Sequence, residues 1–199
     1  MTTPTTLRDL TGLGHTPNSL KDSALVMIDC QNTYREGVMR LVGVEEALVE
    51  AKRVLDRARE LGRPVIHIRH DAGVGSPYDV TAPIGQISDI VAPQGDERVI
   101  TKAYPNSFVG TGLDDELKKL GVKNLVLTGF MTHVCINSTA RGAFNLGYAA
   151  TVVGNATATR DLPAIGGGVV PAQALHAASL AALSDIFAVV VPSFDALAT

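Results

Sequence analysis

The sequence predicts a single α/β domain, residues 1–199, in which a doubly wound, mostly parallel sheet of about six strands lies between two layers of helices. The chain has 199 residues, of which 46% are hydrophobic, which is enough for one sizeable core and short for two. Short β-rich apolar runs alternate with longer segments of helical periodicity, as in sheets whose strands are joined by crossover helices. Gly62 and Pro64 mark one boundary between a helix and a strand.

The predicted elements follow one another along a core of about residues 23–192. The first strand is uniformly apolar, and the helix after it carries apolar residues on one side and charged residues on the other. The predicted strands are 24–28, 65–69, 98–101, 125–129, 150–153 and 187–191. The predicted helices are 44–61, 113–120, 134–146 and 171–183.

Two segments lack periodicity. Residues 71–96 are rich in glycine and proline and predict a long loop, either a lid over a binding site or a mobile surface connection. Residues 161–170, with three consecutive glycines, predict a second irregular insertion before the last helix.

Charge and hydropathy exclude several kinds of partner. With 17 basic and 20 acidic residues the net charge is -3, and lysine and arginine gather on no predictable face, so we expect no nucleic-acid partner. The polar start lacks the features of a signal peptide, and no apolar run approaches the length of a membrane span. We therefore expect a cytoplasmic protein that binds a small molecule and no membrane. The turn after the first strand also lacks the Gly-x-Gly-x-x-Gly of dinucleotide-binding proteins.

The two cysteines, Cys30 and Cys135, are far apart and form no Cys-x-x-Cys motif. This spacing predicts neither a disulfide framework nor a zinc site. Each cysteine is therefore considered as a single thiol.

Three polar residues lie at the ends of different predicted strands. Asp29 and Lys102 follow the first and third strands, and Cys135 lies just past the fourth, where a helix begins. Each alone has an ordinary interpretation: a carboxylate that caps a turn, a surface lysine and a small buried thiol. In doubly wound sheets, however, the carboxyl ends of the strands form the ligand crevice. A base, a cation and a nucleophile at that rim predict an acyl-transfer site.

The position of Cys135 at a helix start also predicts its acidity. The positive end of the helix dipole and a nearby ammonium both favour the thiolate, so we expect a lowered pKa for Cys135. Free backbone amides in the same turn are candidates to bind a developing oxyanion.

Three segments resemble the isochorismatase-like cysteine hydrolases: residues 28–32 (Ile-Asp-Cys-Gln-Asn), residues 101–108 (Thr-Lys-Ala-Tyr-Pro-Asn-Ser-Phe) and the block 129–141. The similarity extends over roughly residues 23–192. This superfamily includes nicotinamidases, carbamoylsarcosine and maleamate amidohydrolases, biuret-type hydrolases, streptothricin hydrolase and the isochorismatases. The resemblance implies a three-layer α/β/α fold of Rossmann-like topology, and a homo-oligomer.

The resemblance assigns roles to particular residues. The Asp-Lys-Cys triad of the superfamily falls on Asp29, Lys102 and Cys135. A cis peptide bond is implied between Phe130 and Met131, with the amides of Met131 and Cys135 directed at the oxyanion.

One departure from the nicotinamidases concerns metal binding. Those enzymes carry an Asp-x-His motif with a further histidine, whereas residues 34–47 contain no histidine, so we expect no metal. His67 and His70 point to opposite faces of a strand at this spacing. We interpret His67 as a packed core histidine and His70, at the strand end, as a candidate pocket residue.

Several further residues are candidates for the substrate pocket or for the core around it. Cys30 is interpreted as a buried structural thiol, and His133 either shapes the pocket or simply occupies the helix start. Whether Arg69 or Arg160 reaches the pocket to bind a carboxylate stays open. The residues expected to line the pocket are Gln31, Tyr34, His70, Tyr104, Phe108, Phe130 and His133.

These features predict hydrolysis of a C–N bond through an acyl-enzyme, without an organic cofactor. Asp29 takes the proton of Cys135 and later serves as general acid, and Lys102 stabilises the thiolate. Isochorismatases proper cleave a vinyl ether without the cysteine, so Cys135 favours carbonyl chemistry. Two alternatives stay open: a vinyl-ether hydrolase in which Asp29 protonates the substrate, and a non-catalytic or redox-responsive oligomeric scaffold.

Overall fold

A six-stranded parallel sheet forms the centre of the computed structural model, which describes residues 4–198. Every predicted strand is present to within a few residues. The strands are β1 Ser23–Ile28, β2 Val65–His70, β3 Arg98–Lys102, β4 Asn124–Phe130, β5 Ala149–Ala158, β6 Leu162–Pro163, β7 Val169–Val170 and β8 Val189–Val191. The order in the six-stranded sheet is β3-β2-β1-β4-β5-β8.

Helices cover both faces of the sheet, which confirms the predicted three-layer class. On β1, Leu25 and Met27 pack into the apolar cluster that includes the helix Val44–Glu60, whereas Val26 packs into the cluster on the opposite face. No helix among the described residues is long and apolar enough to cross a membrane. The helices are α1 Leu7–Thr11, α2 Val44–Glu60, α3 Leu113–Lys119, α4 Asn137–Asn145 and α5 Ala172–Ser184.

Three local features differ from the sequence prediction. The helix expected at 134–146 begins instead as a wide π-helical turn, Thr132–Ile136, and continues as α4. Strand β5 runs on to Ala158 past an irregularity in its pairing with β4. Within the insertion at 161–170, β6 and β7 pair as a short antiparallel ladder that is too brief to show a period in the sequence.

The chain reverses its direction of sheet growth between β1 and β4, so the crevice of the fold opens where these two strands end. Gly129 allows the two strands to approach closely there. Its φ is +112°, and a Cβ atom on it would lie 1.9 Å from the carbonyl oxygen of Ile28. An alanine at this position would therefore force apart the two strands that carry Asp29 and the turn of Cys135.

The predicted loop at 71–96 packs against the residues that follow β1. The carboxylate of Asp79 accepts hydrogen bonds from the backbone N–H of Gly75 and Thr81 and from the Thr81 hydroxyl. Gln31 reaches the same segment, because its side-chain amide donates to the carbonyl oxygen of Gly85 at 2.7 Å. This segment covers the crevice at the carboxyl ends of the strands.

Candidate active site

Asp29 lies directly after β1, at the point where the crevice opens. It is fully buried, and among residues 4–198 it is the only non-glycine residue with a positive φ, at 50°. Such a conformation is uncommon for a residue with a side chain and is concentrated at functional sites. The backbone on either side is fixed, since Asp29 N–H donates to Ile68 O and Asp29 O accepts from Gln31 N–H.

Lys102 is the last residue of β3, and its side chain is completely buried. Its Nζ lies 2.7 Å from Oδ2 of Asp29 and 3.4 Å from Sγ of Cys135. It also lies 3.2 Å from Nδ1 of His70. The structure therefore brings together the three residues that the sequence placed at one rim, and the surface-lysine interpretation of Lys102 is wrong.

Cys135 lies in the π-helical turn that follows β4 and is 5% exposed. The expectation of a lowered pKa is wrong: burial raises the pKa of the Cys135 thiol to about 12, and the charge of Asp29 raises it further than Lys102 lowers it. The helix start and the ammonium are both present, but burial destabilises the thiolate more than these two groups stabilise it. Cys135 is accordingly a thiol at rest.

The Asp29 carboxyl is perturbed in the direction that suits a proton acceptor. Burial raises its pKa, and the positive charge of Lys102 offsets only part of that rise. Within residues 4–198 neither carboxylate oxygen has a hydrogen bond of regular geometry, although Oδ2 lies at ion-pair distance from Lys102. A buried carboxylate with a free oxygen beside a thiol can accept that thiol's proton.

The turn before Cys135 contains the proposed oxyanion donors. The peptide bond between Phe130 and Met131 is cis. Within the turn, the N–H groups of Val134 and Ile136 both donate to the carbonyl oxygen of Met131. The amides of Met131 and Cys135 take no part in those two bonds.

An aromatic cluster packs around the triad. Tyr34 is buried and contacts Phe130 edge-to-face, with ring centroids 5.7 Å apart. Tyr78 in turn contacts Tyr34 at 5.8 Å and His70 at 5.0 Å. Sequence reasoning missed Tyr78, because it lies in the aperiodic segment 71–96 and nothing in the local sequence distinguishes it. The predicted pocket residues Tyr34, His70 and Phe130 do lie beside the triad.

The side-chain amide of Gln31 forms hydrogen bonds with backbone groups. Its Nε2 donates to the carbonyl oxygens of His70 and Gly85, and its Oε1 accepts from the backbone N–H of His70. With all these bonds made, the amide clamps the end of β2 to the covering segment. Gln31 thus supports the pocket wall rather than presenting a free amide to a ligand.

The remaining predicted pocket residues have no contact with Asp29, Lys102 or Cys135 among the side-chain hydrogen bonds and ring contacts of residues 4–198. His133 is partly buried and its Nδ1 is 2.6 Å from the Thr159 hydroxyl. Tyr104 is 58% exposed. The ring of Phe108 stacks on Tyr148, which precedes β5 at the amino end of the sheet, so the structure does not bring Phe108 to Cys135.

The two residues interpreted as structural are placed as expected. His67 is buried on the α2 side of the sheet, and its Nε2 is 2.9 Å from Glu97. Cys30 is buried in the cluster that includes α2, and burial raises its thiol pKa. Among the described residues no group of three or more His, Cys, Asp or Glu side chains is arranged to hold a metal ion.

The two arginines left open by the sequence differ in their surroundings. Arg69 donates through Nε to the Thr101 hydroxyl on the neighbouring strand. Arg160 follows β5, and its buried Nε has no hydrogen-bond partner within residues 4–198. Burial raises the pKa of Tyr78, which the positive charge of Arg160 partly offsets, and burial lowers the pKa of His133, to which the same charge adds. Arg160 is therefore near the aromatic side of the site.

A cavity separate from Asp29, Lys102 and Cys135 lies on the α2 side of β5. It has a volume of about 430 Å³ and separates the start of α2 from β5 and α5. None of Asp29, Lys102 and Cys135 lines it. It is lined by Val42, Gly43, Glu46, Ala47, Glu50, Asn155, Thr157, Ala158, Thr159, Ala172, Gln173 and His176.

A doubly wound sheet with a buried carboxylate, ammonium and thiol at its switch point defines the class of cysteine hydrolases. The Isochorismatase domain model matches residues 23–194, and this chain belongs to the isochorismatase family.

Known members of the family are similar over nearly the whole chain. An isochorismatase from Pseudomonas putida KT2440 is 41% identical, with a TM-score of 0.92 over 96% of this chain and 97% of that one. The secreted isochorismatase effector Isc1 of Verticillium dahliae is 34% identical over 94% of this chain and 97% of its own length. The uncharacterized isochorismatase family protein YddQ of Bacillus subtilis is 39% identical over 84% of this chain and 94% of its own length.

Proposed function

We propose that this hydrolase cleaves a C–N bond of a small molecule through an acyl-enzyme on Cys135. The observation that carries the proposal is the position of Lys102 Nζ, 2.7 Å from Asp29 and 3.4 Å from Cys135 in a buried site. A raised pKa on both the carboxyl and the thiol means that the thiol keeps its proton until a base beside it accepts that proton.

In the first half-reaction Asp29 accepts the Cys135 proton while Sγ attacks the carbonyl carbon of the substrate. The C–S bond forms, and the carbonyl electron pair moves to oxygen, where the amides of Met131 and Cys135 stabilise the oxyanion. As the intermediate collapses, the C–N bond breaks and protonated Asp29 gives its proton to the departing nitrogen. The positive charge of Lys102 stabilises the negative charge while that charge moves between Asp29 and Cys135.

In the second half-reaction Asp29 accepts a proton from water, and the water oxygen attacks the thioester carbon. The same two amides stabilise the second oxyanion. When the C–S bond breaks, the acid product leaves and Sγ takes back the proton from Asp29. The triad is then in its starting state, and no redox partner is required.

More distant relatives support C–N chemistry. Streptothricin hydrolase of Streptomyces noursei is 33% identical over 71% of this chain, which spans 51% of that protein. The ureidoacrylate amidohydrolase RutB of Stutzerimonas stutzeri is 28% identical over 68% of this chain. The name of the second relative describes hydrolysis of an amide-type bond.

Turnover of a panel of small amides, carbamoyl compounds and ureido acids tests the proposal. The panel includes neutral and anionic members, because within residues 4–198 the guanidinium of Arg160 has no carboxylate within 4.0 Å. We expect Cys135→Ala to abolish hydrolysis. Cys30→Ala is the matched control, since this thiol is also buried but lies in the apolar core, and we expect it to retain turnover. Full activity in Cys135→Ala would remove the nucleophile assignment.

The family also favours a second candidate, hydrolysis of a vinyl ether. A buried carboxyl with a raised pKa is suited to protonate such a substrate, and Asp29 is such a group. This reaction does not need the thiol. Isochorismate turnover that survives Cys135→Ala would therefore identify it.

A redox-responsive scaffold has less support. Cysteines that sense oxidants have low pKa values and are accessible to solvent, whereas Cys135 is buried and its pKa is raised to about 12. Reversible sulfenic acid formation on Cys135 under mild oxidant, with no turnover across the panel, would restore this alternative.

A further inference from the structure

The Lys102 ammonium has three neighbours for its three N–H groups. Besides Oδ2 of Asp29 and Sγ of Cys135, its Nζ lies 3.2 Å from Nδ1 of His70. The side chain is completely buried, so no solvent is available to replace a missing partner. An unpaired N–H on a buried ammonium is costly. The proposed reaction uses the first two contacts and leaves the third without a role.

The third contact fixes the protonation state of His70. A lysine ammonium can only donate, so Nδ1 of His70 must be an acceptor and the ring proton must be on Nε2. Burial lowers the pKa of His70 and the charge of Lys102 lowers it further, while Asp71 acts in the opposite direction. The groups that face the ring are thus Lys102, Asp71 and the edge-to-face ring of Tyr78. His70 is neutral near pH 7.

The backbone and the imidazole ring of His70 are both held in place beside Lys102. His70 and Lys102 are paired in register on the parallel strands β2 and β3. Gln31 binds both the N–H and the carbonyl of the His70 backbone, at 2.8 and 2.9 Å. Tyr78 packs against the ring with centroids 5.0 Å apart. Backbone and ring are therefore both fixed.

We propose that His70 is a positioning residue whose neutral Nδ1 holds the Lys102 ammonium between Asp29 and Cys135. The inference rests on the proposed function for the role of Lys102 but is carried by the contacts of His70 itself. Without an acceptor at this place, Nζ turns toward other partners and the thiolate of Cys135 loses its counter-charge. A proton on Nδ1 has the same effect, because two donors then face each other.

Alkylation of Cys135 by iodoacetamide tests the inference without any knowledge of the substrate. The reaction is followed by intact mass in a Cys30→Ala background, so that only one thiol can react. His70→Leu removes the acceptor and keeps an apolar side chain. His70→Asn keeps an acceptor oxygen near the place of Nδ1. His15→Leu is the control, because His15 is a half-exposed histidine paired with Asp9 far from the site.

We expect alkylation in His70→Leu to be roughly tenfold slower at pH 8, which corresponds to a thiol pKa about one unit higher. His70→Asn should stay within about threefold of the parent, and His15→Leu should be unchanged. An unchanged rate in His70→Leu, or an equal loss in both His70 variants, would overturn the inference.

A measurement on the unmodified protein covers the case in which His70→Leu does not fold. Histidine ¹⁵N NMR at pH 7 should show His70 with its proton on Nε2 and an acceptor Nδ1. A proton on Nδ1 would overturn the inference. If no amide in the panel is hydrolysed, the alkylation and NMR experiments still decide whether His70 positions Lys102. A failure of this inference can therefore be distinguished from a failure of the proposed function.

Discussion

Strand β2 carries two histidines, and each lies in a cluster that contains a carboxylate and a cation. His67 faces Glu97, which accepts two hydrogen bonds from Arg59, at 2.7 and 2.9 Å. His70 faces Lys102 instead, whose ammonium is shared with a carboxylate and a thiol. The same strand thus places similar groups in two different electrostatic surroundings.

The difference lies in how completely the carboxylate is hydrogen-bonded. Glu97 also accepts from the backbone N–H of Gln94, and despite its burial these bonds lower its pKa to about 2. Asp29 has no hydrogen bond of regular geometry within the described residues, and burial raises its pKa. A saturated carboxylate holds its charge and ties elements together, whereas an unsaturated one is ready to accept a proton.

Asp29→Asn should have the largest effect on turnover. An amide cannot accept the thiol proton, and general acid-base groups typically contribute about 10² to 10⁴-fold to rate. We expect kcat to fall by that factor for any substrate that the panel identifies. Circular dichroism should show that the variant is folded. Glu97→Gln is the matched control and should keep turnover within a few-fold. Equal losses in the two variants would erase the distinction between the clusters.

Glu97→Gln should instead lower the free energy of unfolding. It leaves Arg59 and His67 without their anion, and breaking a largely buried pair by removing one partner costs about 2 kcal/mol or more. Urea unfolding measures the change. Glu45→Gln removes the exposed partner of Arg35 and should cost less than about 1 kcal/mol. A smaller loss in Glu97→Gln than in Glu45→Gln would contradict the structural role of the Glu97 cluster.

The acid dependence of stability should come in part from Glu97. Its pKa is about 2 in the folded protein and 4.5 in its ordinary state, so its contribution is present above that ordinary value. It is lost as the pH falls from about 4.5 toward about 2. The thermal midpoint of the parent should therefore fall more steeply over this window than that of Glu97→Gln. Parallel curves would indicate that Glu97 does not contribute.

The fold and the triad could be predicted from sequence because both follow from local patterns. Apolar runs of strand length located the strands, and the polar residues just after them, Asp29, Lys102 and Cys135, met at the crevice that the topology creates. The resemblance then specified which of them reacts. The substrate, the homo-oligomer and the cytoplasmic location stay predictions.

The features that could not be predicted depend on distances between remote segments. The pKa of Cys135 is a balance of burial against two opposite charges, and the sequence shows the charges but not the burial. Tyr78 and the clamp of Gln31 arise from the folding of residues 71–96 over the site, a segment without periodicity. The contact between His70 and Lys102 requires the register of β2 and β3, which no local signal determines.

Trapping the acyl-enzyme tests the central claim most directly. The protein is mixed with a hydrolysed member of the panel, quenched in acid within the turnover time, and examined by intact mass and peptide mapping. We expect a mass increase equal to the acyl group of the substrate, located on Cys135 and absent from Cys135→Ala. An acyl group on another residue, or turnover by Cys135→Ala at the parent rate, would contradict it.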